Sequence, residues 1–334
     1  MQNISKERST DQLISEISER RSATDMSSCQ VSSESPWLFV LLVDGSHSMG
    51  ADWGSSKRSM ADIVEQSVNH LLYDMALNFC VTDHQSESGI KDRIHVKILV
   101  YGQEDVVDDL LPSEDGSFTK ASGDSGWVRN YSDTYSYPDP NGMTIPIPRW
   151  LKLSPGGTTP MLGAFKEAKT VVQEHINAYP ESAPPVILNI SDGEPTDCGD
   201  PIDWSLLEEE FNEILALGKE SSRPMVCNVH LGSLADQKSI LFPSNQPTVG
   251  GLESGLWKIS SPVPDNIIGM VEEEYKIGSE EGRRFFVFNS DLIHFHKFLH
   301  FSTKNATRPE KVRVVDGANE TDVIDVPFEI MEEE

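Results

Sequence analysis

The run Trp37-Leu38-Phe39-Val40-Leu41-Leu42-Val43 is apolar at every position and stops on Asp44. A strand with one wet face alternates apolar and polar residues. One that does not alternate is buried on both faces, which places it inside a parallel sheet covered by helices. The run Val186-Ile187-Leu188-Asn189-Ile190 ends in the same way, on Ser191-Asp192. Between and beyond these runs the apolar period changes to three and four. Met60, Ile63, Val64, Val68, Leu71, Leu72, Met75 and Phe79 form one stripe, and Met161, Phe165, Ala168, Val172 and Ile176 a second. Leu206, Leu207, Phe211, Ile214 and Leu215 form a third, with Asp203 as its cap. Ile94, Val96, Ile98 and Val100 read as a strand, followed by the turn Tyr101 to Asp105 and a short apolar stretch at Val106-Val107. That hairpin predicts one antiparallel edge strand. Met225 to Leu231 reads as a further strand, Trp257-Lys258-Ile259 as the last, and Pro264 to Tyr275 as a closing helix. The order predicts an α/β fold: a doubly wound, Rossmann-like, mostly parallel sheet with one antiparallel edge strand and helices on both faces.

In such sheets ligands bind in the crevice outside the carboxyl ends of the strands. Three short segments are placed to meet there: Asp44-Gly45-Ser46-His47-Ser48, Gly156-Gly157-Thr158-Thr159 and Asp192-Gly193. Their side chains offer carboxylate and hydroxyl oxygen, without sulfur. Hard oxygen donors, few of them charged, suit Mg²⁺, with Mn²⁺ and Ca²⁺ as alternatives. Each segment also has a plainer reading. Asp and Ser end strands in polar turns, Thr159-Pro160 can cap a helix, and Asp192-Gly193-Glu194-Pro195 is a turn by composition. The co-occurrence of all three favours a metal.

At these residues the chain resembles the von Willebrand factor A domain, whose metal-ion-dependent adhesion site is written Asp-x-Ser-x-Ser, a Thr after a Gly-rich loop, and a later Asp-Gly. The resemblance covers residues 36–276. It implies Ser46 and Ser48 as direct metal ligands, Thr159 as the ligand that switches, and Asp44 and Asp192 as acids acting through water. Thr158 is the alternative to Thr159. It further implies a non-enzymatic, Mg²⁺-dependent protein-binding module, with a partner Asp or Glu carboxylate entering the metal's open position. The intracellular bacterial branch of the family is the expected setting, an adaptor or switch alongside a chaperone-like ATPase or a kinase or phosphatase. The competing reading is a haloacid-dehalogenase-like phosphatase with Asp44 as nucleophile, since Asp192 to Asp197 imitates an acidic Mg²⁺ loop. Position 46 is Ser where that chemistry wants an acid and base.

Composition narrows the partners. With 334 residues and 37% apolar content the chain can bury a core. Its net charge of −27 repels nucleic acid and anionic membranes. Cysteines 29, 80, 198 and 227 make no Cys-x-x-Cys pair. With no apolar signal core at the start, this predicts a cytoplasmic protein.

Residues 1–35 are expected to be a flexible arm, 36–276 the main domain and 277–334 an extension with an acidic tail. Residues 112–153 form an insertion containing Phe118, Trp127, Tyr131, Tyr135, Tyr137 and Trp150, which leads straight into the threonine loop. It is either part of a partner surface or a brace on the sheet. His294, His296 and His300 carry zinc-like spacing, but no third and fourth ligand is evident, so packing is the preferred reading.

Overall fold

The computed structural model describes residues 31–306, apart from 54–56, 83–88, 112–117, 139–143, 220–221, 233–237 and 248–250. The expectations for the N-terminal arm and the acidic tail therefore lie largely outside the described residues. The chain is a mixed α/β protein. Its main sheet has seven strands in the order β3-β2-β1-β6-β7-β9-β8, and a separate two-stranded sheet is made by β4 and β5. The strands are β1 (Trp37–Asp44), β2 (Ile94–Tyr101), β3 (Val107–Asp109), β4 (Asp133–Pro138), β5 (Thr144–Arg149), β6 (Val186–Ser191), β7 (Met225–Leu231), β8 (Ile240–Leu241) and β9 (Phe286–Ser290). Six α-helices accompany them: α1 (Met60–Met75), α2 (Met161–Ala178), α3 (Ser205–Ala216), α4 (Gly251–Lys258), α5 (Asp265–Tyr275) and α6 (Leu292–Ala306).

Strands β2, β1, β6, β7 and β9 run parallel, while β3 and β8 pair antiparallel at the two ends. Every residue of β1 is buried. Alternate side chains explain its unbroken hydrophobicity: Trp37, Phe39, Leu41 and Val43 enter one apolar cluster with α1, α5 and α6, while Leu38, Val40 and Leu42 enter another with α2, α3 and α4.

Two readings of the C-terminal part are corrected. Trp257 and Lys258 end the helix α4, and Ile259 follows it. The last strand in chain order is Phe286–Ser290, which lies between β7 and β8 and whose residues are all buried.

From β1 the chain crosses to β2 on one side, whereas β6 pairs on the other side of β1. The carboxyl ends of β1 and β6 therefore lie side by side in the sheet.

The insertion is tied to the sheet at its ends. Trp127 Nε1 donates to Ile94 O at 2.9 Å, and Trp150 Nε1 donates to Trp127 O at 2.6 Å. The buried Asn69 of α1 accepts from the amides of Trp150 and Leu151 and donates to Leu151 O at 2.8 Å. Phe118, Trp127 and Trp150 are core residues, whereas Tyr131 is 42% exposed. Tyr135 donates to Gln66 O at 3.2 Å.

Candidate cation site at the carboxyl edge of the sheet

Asp44 is the last residue of β1, and its carboxylate is fully buried. One oxygen accepts from Ser46 N at 2.8 Å, which turns the chain back over the strand end. The other accepts from Ser191 Oγ at 2.7 Å, at the end of the neighbouring strand β6. Ser46 and Ser48 follow at alternate positions, with their hydroxyls 3.1 Å apart. Ser48 Oγ donates to Asp192 Oδ1 at 2.8 Å. The first and third segments are thus joined side chain to side chain, although 144 residues separate Ser48 from Asp192.

Thr159 is buried just ahead of α2 and approaches the same point. A Cβ built on Gly193 would lie 3.6 Å from Thr159 Oγ1 and 3.9 Å from Ser48 Oγ. All five residues picked from the sequence, Asp44, Ser46, Ser48, Thr159 and Asp192, therefore gather at one place. Thr158 is exposed, and its amide donates to Asp105 Oδ1 at 2.7 Å.

Electrostatics mark the cluster as short of positive charge. Burial pushes Asp44 up to about 6, against hydrogen bonds from Ser191 and Ser46 that pull it down. Burial likewise raises Asp192, opposed by the Ser48 hydroxyl. Neither acid forms an ion pair with a basic side chain among the described residues. Buried charges are normally paired or coordinate metals. One buried and one half-buried acid beside three hydroxyls, around a glycine that leaves space, fit a hard divalent cation. Among the described residues no group of three or more His, Cys, Asp and Glu is placed to hold a metal, so a site here depends on the hydroxyls.

Several residues that shape the site were not singled out from the sequence. Ser191 bonds Asp44, and Tyr101 pairs in register with Asp44 across β1 and β2. The Tyr101 hydroxyl donates to Asn189 Oδ1 at 2.8 Å, and Asn189 continues to Asn228 at 3.0 Å. The polar Asn189 within an apolar run was the available signal. Asp197 accepts from Leu162 N and Gly163 N at 3.1 and 2.8 Å. It supplies the cap that Pro160 cannot give α2. His47 and Glu194 are exposed, and the His47 amide donates to Gly157 O at 3.3 Å. His294 is bonded by Asp291 at 2.8 Å, and its ring stacks 6.4 Å from Tyr275. The His300 side chain lies outside the described residues.

No protein-family model matches the chain, and no curated protein does. Among solved structures, the pilus adhesin SpaC of Lactobacillus rhamnosus GG is 18% identical with a TM-score of 0.28, covering 48% of this chain and 16% of that one. The PilB minor pilin of Streptococcus sanguinis is 13% identical with a TM-score of 0.26, over 48% and 30%. The adhesive tip pilin GBS104 of Group B Streptococcus agalactiae is 15% identical with a TM-score of 0.24, over 76% and 73%. The chain spans less than a third of the first two.

These findings correct the family reading. The neighbours are pilus adhesins and pilins, and neither family models nor curated proteins return a von Willebrand factor A match. Three short polar segments at strand ends arise wherever a parallel sheet places loops around its switch point, so they do not fix a family. The intracellular Mg²⁺-dependent adaptor falls with that reading. The cytoplasmic placement is withdrawn as well: acidic charge bears on solubility and association rather than compartment. The phosphatase alternative also finds no support. Both Asp44 oxygens accept hydrogen bonds and the side chain is fully buried, an arrangement that holds a charge but does not expose a nucleophile. Among the described residues, no helix is long and apolar enough to cross a membrane.

Proposed function

We propose that the chain is a non-enzymatic, adhesin-like recognition domain whose carboxyl-edge cluster binds one divalent cation, Mg²⁺ by preference. One observation carries the reading. The buried carboxylate of Asp44 and the half-buried one of Asp192 stand without a basic partner among the described residues, around the hydroxyls of Ser46, Ser48 and Thr159. The hydroxyls would supply neutral oxygen and the acids charge. A cation so held keeps much of its attraction for a further anionic oxygen, and a carboxylate on a ligand protein is the matching group. The reading takes the sheet as doubly wound, with a ligand crevice outside the carboxyl ends of the paired strands β1 and β6.

Calorimetry on chelator-treated protein tests it. Mg²⁺ or Mn²⁺ is expected to bind at one site, and Asp44→Ala to abolish binding while the apo fold persists. Parent protein that takes up neither ion, or an Asp44→Ala variant that binds as the parent does, would sink the proposal.

A further inference from the structure

Two consecutive amides in the threonine loop are held from opposite sides. Thr158 N donates to Asp105 Oδ1 at 2.7 Å. Thr159 N donates to Thr196 Oγ1 at 2.9 Å, and Thr196 N returns to Thr159 O at 2.9 Å. Asp105 belongs to the turn after β2, and Thr196 to the loop after β6. The Asp105 turn lies against both other parts of the site. A Cβ on Gly102 would fall 2.4 Å from Thr158 O and 2.8 Å from Ser46 N, and one on Gly157 would fall 2.1 Å from Gly102 O. Gln103 adds a second tie by accepting from Ser154 N with its side-chain oxygen. The turn is itself held in an uncommon shape, with Glu104 at φ 55° and Asp105 at φ 61°. Meanwhile the Thr159 hydroxyl makes no hydrogen bond among the described residues, although its backbone is fixed on both sides.

We propose that Asp105 and Thr196 are positioning residues that aim the Thr159 hydroxyl at the cation and so set the affinity of the site. Neither touches the ion. Each acts through a backbone amide next to the ligand, as outer partners of metal ligands commonly do. The proposal rests on the cation reading and adds to it a pair of residues through which affinity is tuned.

The test uses Mn²⁺ alone, with calorimetry for affinity and the electron paramagnetic resonance of bound Mn²⁺ for coordination, on the full chain. Asp105→Ala and Thr196→Val each remove an acceptor and are expected to weaken Mn²⁺ binding by about 10–100-fold, with a changed spectrum of the bound ion. Asp105→Asn and Thr196→Ser keep an acceptor oxygen and are expected to restore parental affinity and spectrum. Both residues are exposed and lie on different loops, so either pair suffices should one variant fold poorly. If Asp105→Ala and Thr196→Val bind Mn²⁺ like the parent while Asp44→Ala does not, the positioning role is wrong and the cation site stands. If Asp105→Asn is as weak as Asp105→Ala, the effect is one of charge, which also overturns the positioning role. A parent that binds no Mn²⁺ removes both proposals.

Discussion

Two glycines in the site are built for opposite reasons, and their alanine variants are expected to separate folding from binding. Gly157 sits at φ 63°, and an added Cβ would press to 2.1 Å from a backbone oxygen that no side chain can move aside. Gly157→Ala is expected to lose on the order of 2 kcal/mol in urea unfolding, because strain and clash both act on the folded state. At Gly193 the added methyl would make ordinary contacts with Thr159 and Ser48 at 3.6 and 3.9 Å. Gly193→Ala is expected to unfold at nearly the parental urea concentration yet to lose Mn²⁺ affinity, since the methyl occupies space between two proposed ligands. Equal losses in stability for the two variants would contradict the distinction. At this scale the ligand-type residues were legible, because a carboxylate or hydroxyl just past an apolar run announces itself. The residues that hold them were not. Asp105, Thr196 and Ser191 act through backbone amides or single hydroxyl contacts, and nothing in a linear sequence tells which turn will lie against which.

Helix α2 shows how one element depends on a distant loop. It begins after Pro160 with no side-chain cap of its own, and Asp197 reaches across to the amides of Leu162 and Gly163. A capping acid also meets the positive end of the helix dipole. Asp197→Ala is therefore expected to cost about 1 kcal/mol, readable as a lower midpoint in urea unfolding, and Asp197→Asn about half of that. A variant as stable as the parent would show that the cap is replaceable by water. Element types were readable where the period was long and clean, as in α1, α2 and β1. They failed at short apolar runs. Trp257-Lys258-Ile259 read as a strand because three residues carry no period, and in the structure its aromatic ring packs against Arg284 at 4.2 Å from the end of a helix. Phe286–Ser290 was hidden inside a stretch rich in Phe and His that continues into α6, where a buried strand and a buried helix face look alike. Of the two roles expected for the insertion, its buried residues fill that of a brace. Trp127 and Trp150 brace the core, while Tyr131 remains exposed.

Across the whole molecule, strand β2 and helix α2 meet over a pair of histidines that the site does not use. His95 and His175 are fully buried, and their ring nitrogens have no hydrogen-bond partner among the described residues. Their rings lie 5.3 Å apart, His95 stacks on Phe118 at 4.7 Å, and Tyr179 sits 5.2 Å from each. Burial lowers both to about 3, with the positive charge of Lys120 adding to the effect on His95 and His95 itself to that on His175. A folded-state value below the unfolded one means that above pH 6.5 both states hold the ring neutral and stability is intact. Below it the unfolded chain binds protons that the folded chain refuses, so stability falls until the pH passes the folded value. Each histidine contributes a loss of up to about 1.4 kcal/mol per pH unit across that window. Asp44, raised to about 6, and Asp192, also raised, act in the opposite sense, because the folded state accepts their protons first. The profile of the parent mixes the two signs, but a comparison with His175→Phe isolates the histidine. Phenylalanine keeps the ring packing and removes two unpartnered nitrogens, so the variant is expected to match or exceed parental stability at pH 7.5. Its advantage is then expected to grow by about 1.4 kcal/mol for each unit of acidification between pH 6 and 4, in urea unfolding with chelator present. A pH-independent gap would mean that His175 gains its proton in the folded state as readily as in the unfolded one, and that the buried pair is not the source of acid sensitivity.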